Sequence, residues 1–272
     1  MMNWDKKDLS DLALAVRLLE NPGFVSRLCA HIGAPIEIAL DCLPTRLKNG
    51  LGAAVNHSLS KAMNLAVGSM GEGSSVPSRW MQKALATAAG AASGAFGGPA
   101  LLVELPFTTC LMLRSIAGIA QSKGEDIAAP STRVACMEVF ALGGPASSMG
   151  YFAMRQVLAA EAERVIQLLI VGRVGDDLTP VLLRLIETIA SRFSVVVGEK
   201  AAAQFVPVIG AVGGATVNYL FMTHFQEMAT GHFTVRRLER IYGRSEVLER
   251  YQAMKLTRAR TGQHVPQRIG MR

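Results

Sequence analysis

Two stretches of this chain, 84–103 and 201–223, run for 20 and 23 residues without a charged side chain, and both are laced with glycine. Runs of that length match the thickness of a bilayer, so each is either a membrane span or a segment buried within protein. Insertion depends on how many strongly apolar side chains a run holds. The first has Leu85, Phe96, Leu101, Leu102 and Val103, worth about −2.5 kcal/mol on an insertion scale, opposed by four glycines, Pro99, Ser93 and Thr87. The second is worth about −4 kcal/mol on the same scale, against Gln204, Pro207, Asn218 and three glycines. Buried or interfacial helical hairpins are expected, with insertion of 84–103 or 201–223 as the open alternative.

The glycines are regularly placed. Ala86, Gly90, Gly94 and Gly98 follow steps of four, and Gly210 and Gly214 repeat the step, so on helices they form smooth strips along one face. Each glycine costs about 1 kcal/mol of helix propensity relative to alanine. Close approach of a second backbone, as at small-xxx-small contacts, is the expected compensation. Each strip leads into a more amphipathic stretch with a few polar groups: Glu104, Thr108, Arg114 and Ser115 after the first, Asn218, His224, Gln226 and Glu227 after the second. The two runs are alike in plan.

Half the residues are apolar and only 6% aromatic, and alternating patterns are scarce, which favours an all-α fold of compact packed helices without a substantial sheet. Leu9, Leu12, Val16 and Leu19 set a helical period that "NPG" at 21–23 ends. Further helices are expected over 24–32 and 36–67, the latter bent at Pro44, and another begins near Pro106, a residue suited to a first turn. The stretch "MGEGSSVPS" at 70–78 reads as a linker. The division expected is an N-terminal helical region over 1–78, a core over 79–243 and a basic C-terminal helix and tail over 244–272.

The formal charge of +7 lies at the C-terminus, since residues 1–235 hold 18 Lys/Arg and 18 Asp/Glu while 236–272 hold 10 and 3. A basic end on a neutral body suits an anionic membrane surface or a membrane protein, with Arg236, Arg237, Arg240 and Arg244 as the binding candidates. No nucleic acid is expected, because the basic end offers only Tyr242 and Tyr251 as aromatics and the chain has no reading module. A charged start, "MMNWDKKDLSDL", and four scattered cysteines point to the cytoplasm and to reduced thiols.

Chemistry has few footholds. Glu104, Thr108, Leu111 and Ser115 draw a polar line on an apolar helix, where a buried carboxylate could serve as acid or base or simply pair with a cation. His224 and Glu227 share a helical face, which could hold a metal if a third ligand arrived from elsewhere. "HFQEM" is neither H-E-x-x-H nor H-x-x-E-H, so no metal is expected. "GAASG" is not the G-x-S-x-G elbow, no phosphate loop exists, and no cofactor is expected.

The combination of "GAFGG", "ELPFTTCLMLRSIAGIAQSKGED" and "PVIGAVGGATVNYLFMTHFQEMATGHFTVRRLERIYG" resembles the EcsC family of bacterial proteins over about residues 80–243. The positions matching its recurrent pattern include Gly97, Gly98, Glu104, Pro106, Arg114, Gly124, Pro207, Gly210, Gly214, Asn218, Phe221, His224, Ala229, Phe233 and Leu238. Family members often carry Asp where this chain has Glu104. The resemblance implies a helical cytoplasmic or membrane-associated protein, and the family's namesake is encoded beside the subunits of an ABC transporter. Some members are labelled peptidases, but the family offers no agreed catalytic residues to carry over. The reading is a non-enzymatic EcsC-family protein peripheral to the inner membrane. The alternative is a hydrolase built on Glu104, His224 and Glu227, which requires those three groups to converge.

Overall fold

The structure, a computed structural model, describes residues 4–20, 45–68, 83–89, 98–144, 150–171, 178–204 and 210–262. Among these there are eight helices and a short helical stretch over 83–89, with no strand. In chain order they are α1 (Lys6–Leu19), α2 (Thr45–Gly68), α3 (Gly98–Ser122), α4 (Pro130–Leu142), α5 (Tyr151–Ile170), α6 (Leu178–Gln204), α7 (Gly210–Tyr242) and α8 (Arg244–Gly262). The all-α expectation holds.

Local chemistry explains several boundaries. Asp5 caps α1 by accepting from the Lys7 N–H at 3.3 Å, and the helix buries Leu12 and Val16 of the predicted stripe. α2 is described from Thr45, and the helix expected over 24–32, the bend at Pro44 and the linker at 70–78 lie outside the described residues. α3 differs from expectation. It starts at Gly98 and carries Pro106 in its interior, so the proline is not the first-turn residue its context suggested. The apolar surface α3 buries outweighs the one backbone bond that the proline removes.

α3 ends in a glycine cap. Gly124, at φ 80°, donates to the Gln121 carbonyl at 3.0 Å, and Glu125 donates to the Ala120 carbonyl at 3.1 Å. That Schellman arrangement needs the left-handed backbone that glycine adopts freely. It fixes where the Glu125 carboxylate stands.

α3 and α7, the helices that follow the two glycine strips, lie side by side and parallel. Asn218 of α7 meets Glu104 of α3 at 2.6 Å, Gln226 meets Ser115 at 2.8 Å, and Arg236 meets Glu125 at 3.1 Å. Partners thus advance together along both chains. The two stretches that share a plan are neighbours in space, and α4, α5 and α6 form the crossover that makes the parallel pairing possible.

One apolar cluster joins α2 through α7, with Val55, Leu59 and Ala62 of α2 packed into it. α2 is therefore continuous with the core. Rings of Phe140, Phe193, Phe221 and Phe225, with contacting centroids 5.1 to 6.1 Å apart, tie α4, α6 and α7 at its centre. Gly143 follows α4, and a Cβ there would overlap the Phe225 ring. A smaller cluster of Trp4, Leu12, Val16, Val235, Val247 and Tyr251 unites α1, α7 and α8.

Among the described residues, only 100–122 of α3 are long and apolar enough to cross a membrane, with a mean hydropathy of 1.5, and 61% of that window is buried within the protein. The runs 84–103 and 201–223 include 90–97 and 205–209, which lie outside the described residues. Gly90 and Gly94 lie outside as well. Gly98 and Gly210 open α3 and α7, and Gly214 is buried in α7.

Candidate functional site

The Glu104 side chain turns into the seam between α3, α6 and α7. Its Oε1 accepts from Thr108 Oγ1 at 2.7 Å, from Lys200 Nζ at 2.9 Å and from Asn218 Nδ2 at 2.6 Å. Asn218 Nδ2 also donates to the Ala86 carbonyl at 2.8 Å, which brings the 83–89 stretch to the junction. Lys200 is wholly buried and its ammonium lies 4.9 Å from the Phe221 ring centroid. Burial pulls the Lys200 amine below its ordinary value, with the Glu104 charge opposing it. Three donors thus converge on the one oxygen Oε1. What the arrangement does is tie four segments together.

The other two candidate residues are elsewhere. His224 lies six residues beyond Asn218 on α7, about 9 Å along the helix. Its Nε2 donates to the Gly143 carbonyl at 2.6 Å, which fixes the tautomer with the proton on Nε2. Glu227 is partly exposed on the same helix. Glu104, His224 and Glu227 do not form one constellation, and the hydrolase reading gains nothing from their placement. Among the described residues, no three His, Cys, Asp or Glu side chains are grouped to hold a metal ion.

The arginines expected to face a membrane are used inside the fold. Arg236 forms a two-pronged pair with Glu125 at 3.1 and 3.2 Å, Arg240 pairs with the same carboxylate, and Thr132 donates to it at 3.1 Å. Burial alone would raise the Glu125 carboxyl, but the hydrogen bond and charge of Arg236, and then those of Arg240, hold it below the usual carboxylate range. Arg237 reaches Asp8 at 2.8 Å and Asp11 at 2.9 Å, clamping α1 to α7, and Tyr242 donates to Asp8 at 2.8 Å. Only Arg244, of the four, is exposed without a role in this clasp. At the Glu125 pair a surface cavity of about 400 Å³ is lined by Glu125, Asp126, Glu239, Arg236 and Arg240. Three carboxylates against two guanidiniums give it no surplus charge with which to select an anion.

A third buried polar group links α4, α5 and α7. Arg155 grips Glu239 at 2.7 and 3.0 Å, Tyr151 Oη lies 3.0 Å from His232 Nδ1, and His232 Nε2 stands 3.9 Å from a Glu138 oxygen. Burial first, then Arg155 and Arg236, holds His232 neutral, well below its ordinary value, and burial raises the Glu138 carboxyl. His232 Nδ1 shares its hydrogen bond with the phenol, while Nε2 faces Glu138 across a gap too long for one. Sequence reasoning missed Lys200, Glu125, Arg155 and Glu138. Lys200 had a visible signal, a lone lysine in "VVVGEKAAAQ". The others pair with residues 84 or more positions away, or lie across helices, and no spacing rule reaches them.

Fold and sites together define an all-helical protein whose buried ionisable groups serve as cross-links between helices. The chain belongs to the EcsC protein family: the family's sequence profile matches residues 76–238, which run from before α3 through most of α7 and include both the Glu104 junction and the Glu125 pair. No curated protein and no solved structure matches the chain.

Proposed function

We propose that this protein is a non-enzymatic helical component held peripherally at the cytoplasmic face of a membrane, beside an integral membrane partner such as the subunits of an ABC transporter. The observation that carries this reading is α3. It is apolar enough to span, yet it is mostly packed within the protein and still leaves Val103 80% and Phe107 52% exposed. A helix used that way suits contact with the edge of a bilayer better than passage through it. The individually partnered Glu104 and His224 support a role without catalysis.

The test is carbonate extraction with detergent partitioning from cells expressing the full chain. Sedimentation with membranes, release by carbonate and recovery in the aqueous phase are expected. Retention in the carbonate pellet would make the protein integral, and absence from the membrane fraction before any wash would sink the proposal. Metal analysis of the protein purified without added zinc is expected to find sub-stoichiometric zinc. A full equivalent lost on His224→Ala would revive the hydrolase.

A further inference from the structure

Around the Glu104 junction the usual order of a soluble protein is inverted. Ala86, Glu104, Thr108 and Asn218 turn their polar contacts inward, while the direct chain neighbour of each, Leu85, Val103, Phe107 and Tyr219, is a large apolar residue 41 to 80% exposed. Four exposed apolar side chains thus lie next in sequence to the residues of one hydrogen-bonded junction. Scattered apolar residues on a surface mean little, but a contiguous group marks a contact site.

Charge separates the same region from the rest. Between Thr45 and Lys123 the sequence holds seven Lys/Arg and two Asp/Glu, Glu72 and Glu104. The body that is neutral as a whole is therefore strongly polarised. Among the described residues of α2, α3, the 83–89 stretch and the first half of α7, Glu104 is the one carboxylate, and it is buried against Lys200. Lys61 and Arg114 are exposed, and their charges oppose the rise that burial imposes on the Cys110 thiol, while Lys83 lies 5.0 Å over the Tyr219 ring. Val103, Phe107, Cys110 and Arg114 follow helical steps of four, three and four, so α3 presents an apolar tip with a basic shoulder on one face.

We infer that this face, Leu85, Val103, Phe107 and Tyr219 with Lys83 over the tyrosine, Arg114 farther along α3 and Lys61 on α2, is the surface that docks on an anionic lipid bilayer. This rests on the peripheral-membrane reading above and moves the contact away from the C-terminal arginines, three of which are committed to carboxylates inside the fold. Exposed apolar side chains enter the headgroup boundary, cations meet lipid phosphates, and no exposed carboxylate on the described part of this face opposes them.

The experiment uses the full chain with vesicles of phosphatidylcholine, with and without phosphatidylglycerol. The wild type is expected to co-sediment with the anionic vesicles. Val103→Ser/Phe107→Ser should weaken that binding about tenfold or more, and Arg244→Gln/Arg258→Gln should leave it nearly unchanged. Because the serine pair could disturb packing, Phe107→Trp provides a second readout. The emission it adds to the wild-type spectrum should shift to the blue on anionic vesicles and be quenched by brominated lipid. Binding that survives the serine pair, with no shift from Phe107→Trp, would place the contact elsewhere and leave the peripheral reading standing. No binding to either vesicle would overturn both. A dimer seen in sedimentation and dissolved by the serine pair would show a second copy on this face and overturn the lipid assignment alone.

Discussion

At the scale of single residues, the buried ion pair decides more than any exposed one. Removing one partner of a buried pair strands the other charge, at about 3 to 5 kcal/mol, whereas replacing both by apolar groups is often near neutral. Lys200→Met is therefore expected to lower the urea midpoint strongly, and Glu104→Leu/Lys200→Met to recover much of the loss. Additive losses in that cycle would show that the pair is not coupled. Glu104 was legible as a polar residue on an apolar helix, but its partner lies 96 positions away and no local rule connects them. His232 gives a pH prediction. Its folded value is depressed, so as pH falls through the ordinary 6.5 the unfolded chain binds the proton first and stability declines. His232→Gln should flatten the slope of unfolding midpoint against pH between about 7 and 5; an unchanged slope would mean that other groups set it.

At the scale of elements, the helices were readable because each buries one apolar stripe, as Leu12 and Val16 do in α1. The parallel pairing of α3 with α7 was only half readable. Likeness of plan between the two stretches was visible, but not that Ser115 would find Gln226 or Glu125 find Arg236, since those contacts depend on a crossover of three helices. Close backbone approach was expected at the glycine strips, and the described structure adds Gly143, where the Phe225 ring occupies the space of a Cβ. Gly143→Ala should cost about 1 to 3 kcal/mol, read as a lower melting temperature with the helical signal intact. Gly124→Ala tests the α3 cap. It forces a side chain into φ 80°, should cost about 1 kcal/mol or more, and should loosen Glu125 from Arg236.

At the scale of the whole molecule, the first and last described helices pack together. Trp4 stacks on Tyr242 with centroids 4.0 Å apart, the Arg250 guanidinium lies 4.9 Å from the Trp4 ring centroid, and Val247 and Tyr251 are buried with Leu12 and Val16. The basic C-terminal helix, which composition presents as an appendage, is thus a wall of the second apolar cluster. Its many charged side chains hid this, because two buried residues suffice to anchor a helix that is otherwise polar. Burying a valine and a tyrosine is worth about 3 to 6 kcal/mol together, a large share of the roughly 5 to 15 kcal/mol that holds a domain folded. A chain ending at Gly243 should therefore unfold at a much lower denaturant concentration than the full chain, and Tyr251→Ala alone should account for about 3 kcal/mol or more of that loss. Equal midpoints for the full and shortened chains would show that α8 is an appendage after all, and would free its arginines to act on a partner without cost to the fold.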